Sequence, residues 1–183
     1  MRRRILISNV IVLLTFLISK PANWSLFTAG LVIAIVGEGI RMSASSIIVK
    51  SNELTTRGVY SAVRHPLYLG TFIIMLGFLI SLINLNALYQ TLLSFFIALS
   101  GFAIIYFKQI KAEEKFLRKV YGNQFEEYKQ SVNALFPSMR SLNKLFSSAD
   151  WSMKTFKKNK EYRGLVGTFF VFFAVWLRIY YEI

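Results

Sequence analysis

Residues 67–107 read LYLGTFIIMLGFLISLINLNALYQTLLSFFIALSGFAIIYF, and this stretch decides the fold. It contains no charged residue, and its two apolar runs, Leu67 to Leu85 and Ala87 to Phe107, meet at a short polar turn around Asn84 and Asn86. A helix needs about 20 mainly apolar residues to cross the hydrocarbon of a bilayer. The two runs therefore predict a tight antiparallel pair of spanning helices whose far ends open on the same side. Three further apolar runs, Ile5 to Ser19, Trp24 to Ile40 and Gly164 to Tyr181, extend the pattern. The expectation is an all-α, polytopic membrane helix bundle with about five transmembrane helices. The first run, behind Arg2, Arg3 and Arg4, also has the outline of a signal-peptide core. No small-residue cleavage site follows it, however, and Lys20-Pro21 leads straight into the next run, which favours a helical hairpin.

Composition agrees. Of 183 residues, 55% are hydrophobic and 17% charged, too apolar a balance to hide in one small water-soluble core. A net charge of +13 would suit nucleic acid if the basic surface were continuous and solvated. Long apolar runs separate the basic clusters instead, which points to anionic membrane lipids and no nucleic acid as partners. With the N-terminus in the cytoplasm, all of the 22 lysines and arginines except Lys20 and Arg178 fall on the cytoplasmic side, the expected bias for a multi-pass protein. The chain has no cysteine and one histidine, which excludes disulfides, thiolate nucleophiles and a histidine-cluster metal site.

Two cytoplasmic segments, Arg41 to Pro66 and Lys108 to Arg163, hold nearly all residues capable of chemistry. From Gln109 to Gln130 the apolar spacing predicts two helices joined at Gly122. From Leu142 to Tyr162, apolar residues alternate with lysines in the manner of a helix along the headgroups, or of a solvated tail packed on its own protein.

The first cluster is Gly58-Val59-Tyr60-Ser61-Ala62-Val63-Arg64-His65-Pro66-Leu67-Tyr68-Leu69-Gly70. Pro66 suits the first turn of a helix, where its missing N–H costs nothing. Around that start an arginine, an imidazole and two tyrosines suit an anion. An interfacial belt of Arg64, Tyr60 and Tyr68 anchoring the helix is the alternative. The second cluster centres on Glu113-Glu114. Neighbouring side chains on a helix diverge by about 100°, so one carboxylate at most is expected to face a given pocket. Simple pairing with Lys111, Lys115 or Arg118 is the other reading.

Taken together, Gly58-x-Tyr60-x-x-x-Arg64-His65-Pro66-x-Tyr68-x-Gly70, an apolar hairpin, and Glu113-Glu114-x-x-Leu117-x-x-x-Tyr121-Gly122-x-x-Phe125-x-x-Tyr128 with a closing Phe136-Pro137 resemble a superfamily of integral membrane methyltransferases. It includes isoprenylcysteine carboxyl methyltransferase and the phospholipid methyltransferases. The resemblance runs from Arg41 to Pro137, and it divides the chain into a methyltransferase core, 1–137, and a basic amphipathic segment with a last transmembrane helix, 138–183. It implies S-adenosylmethionine bound between the two blocks, with Tyr60, Arg64, His65, Tyr68 and Gly70 on one wall and Glu113 and Glu114 on the other. Arg64 and Glu114 are the implied catalytic pair, and no metal is required. The cofactor's ammonium and sulfonium can be complemented by a carboxylate, and its own carboxylate by Arg64 or His65. The implied reaction is methyl transfer to a lipophilic acceptor reaching the site from the bilayer, at the level marked by Tyr60, Tyr68 and Tyr106.

One position departs from the pattern. Relatives often carry proline or glycine followed by arginine just before the closing Phe-Pro, where this chain has Asn133-Ala134, which argues against a prenylcysteine carboxylate as acceptor. The arginine-histidine-proline block also resembles that of sterol-reductase-like membrane oxidoreductases, which use NADPH. Glu113-Glu114 and the short chain separate the sequence from that group. A non-catalytic membrane protein of the same fold is a third possibility.

Overall fold

The computed structural model of the protein describes residues 2–48, 53–146 and 151–182, with side chains from Leu6 onward at the N-terminal end. The described residues are all-α: α1 (Arg2–Ile18), α2 (Trp24–Ile47), α3 (Pro66–Ser81), α4 (Leu88–Tyr121), α5 (Asn123–Ser131), α6 (Met153–Asn159) and α7 (Tyr162–Tyr180). Three 3₁₀ turns lie between them, at Gly58–Ser61, Leu85–Ala87 and Met139–Phe146. The stretches Trp24–Ile47, Leu85–Tyr121 and Tyr162–Tyr180 are long and apolar enough to cross a membrane, which marks a multi-pass membrane protein. All five expected apolar runs are helical, but two of them, Leu6–Ile18 and Pro66–Ser81, are shorter. The 16 residues of α3 rise about 24 Å, less than the ~30 Å of a typical hydrocarbon core.

Local signals account for most helix ends. Pro66 opens α3, and Gly122, at φ +52°, separates α4 from α5 as expected. In the turn between α3 and α4, the Asn86 amide donates to the Asn84 side chain at 2.9 Å and the Thr91 hydroxyl to the Asn84 carbonyl at 3.1 Å. Two expectations are corrected. The separate helix expected from Gln109 is the continuation of α4, because neither glycine nor proline interrupts the chain between Phe102 and Tyr121. The stretch from Leu142 to Tyr162, read as a headgroup helix or a packed tail, is not one helix: its described residues form a 3₁₀ turn, then α6, which ends at Lys160 in the left-handed conformation. Lys50 and residues 147–150 lie outside the described residues.

The chain divides into two compact units. One comprises Met1–Ile35, Phe72–Lys108 and Gly167–Ile183. Its core joins Phe27 and Ala34 of α2, Phe78 and Leu82 at the end of α3, and Phe172, Val175 and Ile179 of α7, with Phe16 of α1 packed alongside. Gly30 and Gly77 let α2 and α3 approach closely, since a Cβ on either would collide with the backbone carbonyl of the other. Arg178 donates to the Phe16 carbonyl and lies 5.0 Å from the centre of the Phe16 ring. Large apolar side chains such as Leu13, Leu17, Ile35, Phe96, Phe169 and Phe170 point outward. Such a surface suits lipid, where exposed leucine and phenylalanine carry no hydration penalty.

The second unit comprises Val36–Thr71 and Gln109–Val166. Ala44, Val59 and Tyr60 form a buried cluster with Ile48 and Leu67 against it, and Phe125 of α5 is fully buried. The Met139–Phe146 turn packs on Gly58–Ser61, burying Leu145 and placing the Ser141 hydroxyl 3.4 Å from the Ala62 carbonyl. This unit holds every residue of both sequence clusters up to Thr71 and from Gln109 onward.

Candidate active site

A proline disfavours helical backbone in the residue before it, so the chain ahead of Pro66 runs as a turn with free amides. The Arg64 amide donates to the Asn133 carbonyl at 2.8 Å and the His65 amide to the Ala134 carbonyl at 3.0 Å. The Asn133-Ala134 segment is thus the backbone partner of the Arg64-His65 turn. From there the Arg64 side chain reaches Glu114 on α4, with Nη2 and Nε 2.5 and 3.1 Å from the same carboxylate oxygen. Its Nη1 donates to the carbonyls of Val132 and of Lys129, the latter at 3.2 Å. The arginine side chain is only 8% exposed, and each nitrogen of its fork makes a hydrogen bond, so it acts as a clamp between the turn, α4 and the end of α5.

His65 is held between the two glutamates. Its Nε2 lies 3.4 Å from Glu114 and its Nδ1 3.6 Å from Glu113. The expectation that at most one of the adjacent carboxylates faces a given pocket is corrected: one imidazole with two nitrogens on opposite sides meets both. The Tyr68 hydroxyl also donates to Glu113, and its ring stacks on His65 at 5.7 Å between centres. Gln109 donates to the same Glu113 oxygen at 3.2 Å. Lys129 approaches the second Glu114 oxygen at 3.4 Å. The glutamates thus differ in setting: the Glu114 side chain is 16% exposed and doubly cation-paired, while that of Glu113 is 42% exposed. Simple pairing with Arg118 is excluded, since Arg118 bonds Glu126 at 2.5 Å.

Tyr60 is buried beside this cluster, and its hydroxyl is a buried polar atom without a hydrogen-bond partner among the described residues. The Tyr60 carbonyl accepts from the Tyr128 hydroxyl at 2.6 Å. Burial pushes both phenols well above their usual range. The burial of Arg64 and Tyr60 is not that of an interfacial belt. Gly70 stands apart from the polar cluster: a Cβ there would lie 2.6 Å from the Gly37 carbonyl and from Arg41 Cγ, so its role in the structure is close packing of α3 on α2.

Sequence reasoning missed a second polar network. Arg41 of α2 donates to Thr71 and to Glu161, each at 2.9 Å, and Glu38 lies 3.9 Å away. Gly164 admits the guanidinium, since a Cβ there would sit 2.5 Å from it. The Asn159 amide caps the end of α2 through the carbonyls of Ser45 and Ile48, at 2.8 and 3.0 Å. Two opposite charges three residues apart in an apolar helix were a readable signal for Glu38 and Arg41. Nothing local pointed to Glu161.

The chain is similar to proteins of two kinds of name. Over 126 residues the chain is 33% identical to a protein of Oryza sativa subsp. indica named probable protein-S-isoprenylcysteine O-methyltransferase, covering 62% of each chain. It is 30% identical over 131 residues to protein-S-isoprenylcysteine O-methyltransferase A of Arabidopsis thaliana, covering 63% of this chain and 61% of the relative. It is also 32% identical over 110 residues to a cobalt-zinc-cadmium resistance protein of Cupriavidus metallidurans, covering 60% and 47%. The chain therefore matches less than two thirds of the length of these relatives. No solved structure matches. The profile of the phospholipid methyltransferase family covers residues 26–124, a span that includes the Arg64-His65 turn, α3 and the Glu113-Glu114 pair, and the chain belongs to that family.

Proposed function

We propose that this protein binds S-adenosylmethionine at the Arg64-His65 turn and the Glu113-Glu114 stretch of α4 and methylates a lipophilic acceptor resident in the membrane. The observation that carries the proposal is the convergence of Arg64, His65 and Tyr68 on Glu113 and Glu114 from segments about fifty residues apart. Membership in a methyltransferase family supports the reaction class. The residues fit the cofactor. Glu113 offers a partly exposed carboxylate suited to an ammonium or sulfonium, and the Tyr60 hydroxyl is a buried donor in need of an acceptor.

When bound, S-adenosylmethionine supplies a methyl group already activated on its sulfonium. The protein's task is then to align and to exclude water. Tyr60, Tyr68, His65 and Glu113 orient the ligand, and Arg64 with Glu114 fixes the turn and α4 in one geometry. In this reading Arg64, Glu114 and Gly70, expected from sequence to contact the ligand, support the site instead. Residues 1–137 carry the reaction, and 138–183 brace α2 through Asn159 and Glu161. The distribution of basic residues supports placing the N-terminus, Arg64 and Glu113 on the cytoplasmic side, with the apolar helices in the membrane. Calorimetry on the protein in detergent tests the reading: S-adenosylmethionine should bind, and NADPH binding more tightly would replace the proposal by a reductase. Mass spectrometry of lipids from cells with and without the protein, searched for a mass difference of one methylene, identifies the acceptor.

A further inference from the structure

A pocket open to solvent lies within the same unit, on the segment whose Val132 and Asn133 carbonyls hold Arg64. It measures about 160 Å³ and is lined by Ser61, Ser131, Asn133, Ser138, Arg140 and Lys144 among others, with no acidic residue on its walls among the described residues. One water needs only about 10–15 Å³, so the space accommodates a larger polar group. The Ser61 and Ser131 hydroxyls already donate to the carbonyls of Gly58 and Tyr128, at 2.7 and 3.0 Å. Arg140, Lys144 and the Asn133 amide remain as donors, and none has a side-chain partner among the described residues. Two cations facing one space repel each other, and an oxyanion between them would offset that repulsion while accepting several charge-assisted hydrogen bonds. The surrounding surface narrows the choice of anion. Phe136 at 62% exposed, Met139 at 86% and Phe146 at 69% lie on the same short segment as Arg140 and Lys144. A soluble phosphate has no use for such a surface, whereas a lipid offers hydrocarbon beside its phosphate.

We propose that this cavity binds the phosphate of an anionic phospholipid headgroup, with Arg140 and Lys144 as its cationic ligands and Asn133 as a neutral donor. Its proposed ligands include none of the side chains assigned to the cofactor, although Val132 and Asn133 on its wall hold Arg64 through their backbone carbonyls. The test is native mass spectrometry of the full chain released from detergent in an equal mixture of phosphatidylglycerol and phosphatidylcholine. The unaltered protein should retain phosphatidylglycerol in preference. Arg140→Gln with Lys144→Gln should reduce the preference by roughly tenfold. The charge-matched pair Lys157→Gln with Lys158→Gln, on exposed positions outside the cavity, should leave it intact. Arg140→Lys keeps the charge but removes the planar fork and should give an intermediate loss. Equal loss in both double variants would reduce the effect to bulk charge and overturn the proposal, as would full retention in the cavity variant. Millimolar inorganic phosphate should not displace the lipid; displacement would make this a soluble-phosphate site and refute the lipid assignment.

Discussion

The Arg64 guanidinium lies 2.5 Å from the Glu114 carboxylate, tying the turn before α3 to α4 across fifty residues of sequence. Both side chains are shielded from solvent, so removing one leaves the other as a buried charge without its partner. Arg64→Ala should therefore destabilise the protein by about 3 kcal/mol, read as a lowered melting temperature in detergent. Unchanged melting would contradict the clamp.

The glutamates should separate by function. Glu113→Gln should weaken S-adenosylmethionine binding about tenfold with little loss of stability, because a half-exposed carboxylate can meet a ligand. Glu114→Gln should instead lower stability by about 2 kcal/mol, since it faces Arg64 and Lys129. Calorimetry and melting on both variants check this, and the reverse pattern would exchange the two roles.

Gly70→Ala should destabilise by about 1–3 kcal/mol, because the new methyl meets a backbone carbonyl that cannot swing aside. Cofactor affinity measured well below the melting temperature should stay near that of the unaltered protein. A selective loss of affinity would return Gly70 to the binding wall.

Burial raises the Tyr60 and Tyr128 phenols, so the folded state holds their protons at pH values where the unfolded chain releases them. Their contribution to stability is then constant below about pH 10 and declines as pH rises above that ordinary value. Tyr128→Phe should make alkaline unfolding less steep while costing about 1 kcal/mol near neutrality, from the lost hydrogen bond to the Tyr60 carbonyl. Denaturation followed from pH 8 upward distinguishes the two.

Lys115 is exposed on α4 beside the glutamates, and the chain is free of cysteine. Lys115→Cys should react with an impermeant thiol reagent only from the cytoplasmic side. Labelling from the opposite face would invert the proposed orientation.

Several features are legible in sequence because their causes are local. Apolar runs make apolar helices, Pro66 can only open one, Gly122 takes a positive φ, and Asn84 closes a turn within two residues. The two polar clusters are also legible as types of residue, and their combined spacing points to the family. Their partners are not. Nothing near Arg64 says that it will bond Glu114 and the carbonyls of Val132 and Lys129, leaving Glu113 as the more open carboxylate. Glu161 reads as one more charge in a lysine-rich stretch until the fold sets it against Arg41. A buried ion pair depends on desolvation by residues brought together from distant parts of the chain, and that burial exists only after folding. Sequence by itself therefore determines where this protein is apolar, where its helices break and which residues can do chemistry, while tertiary structure alone decides which of them are used up in bracing one another and which remain to meet a ligand.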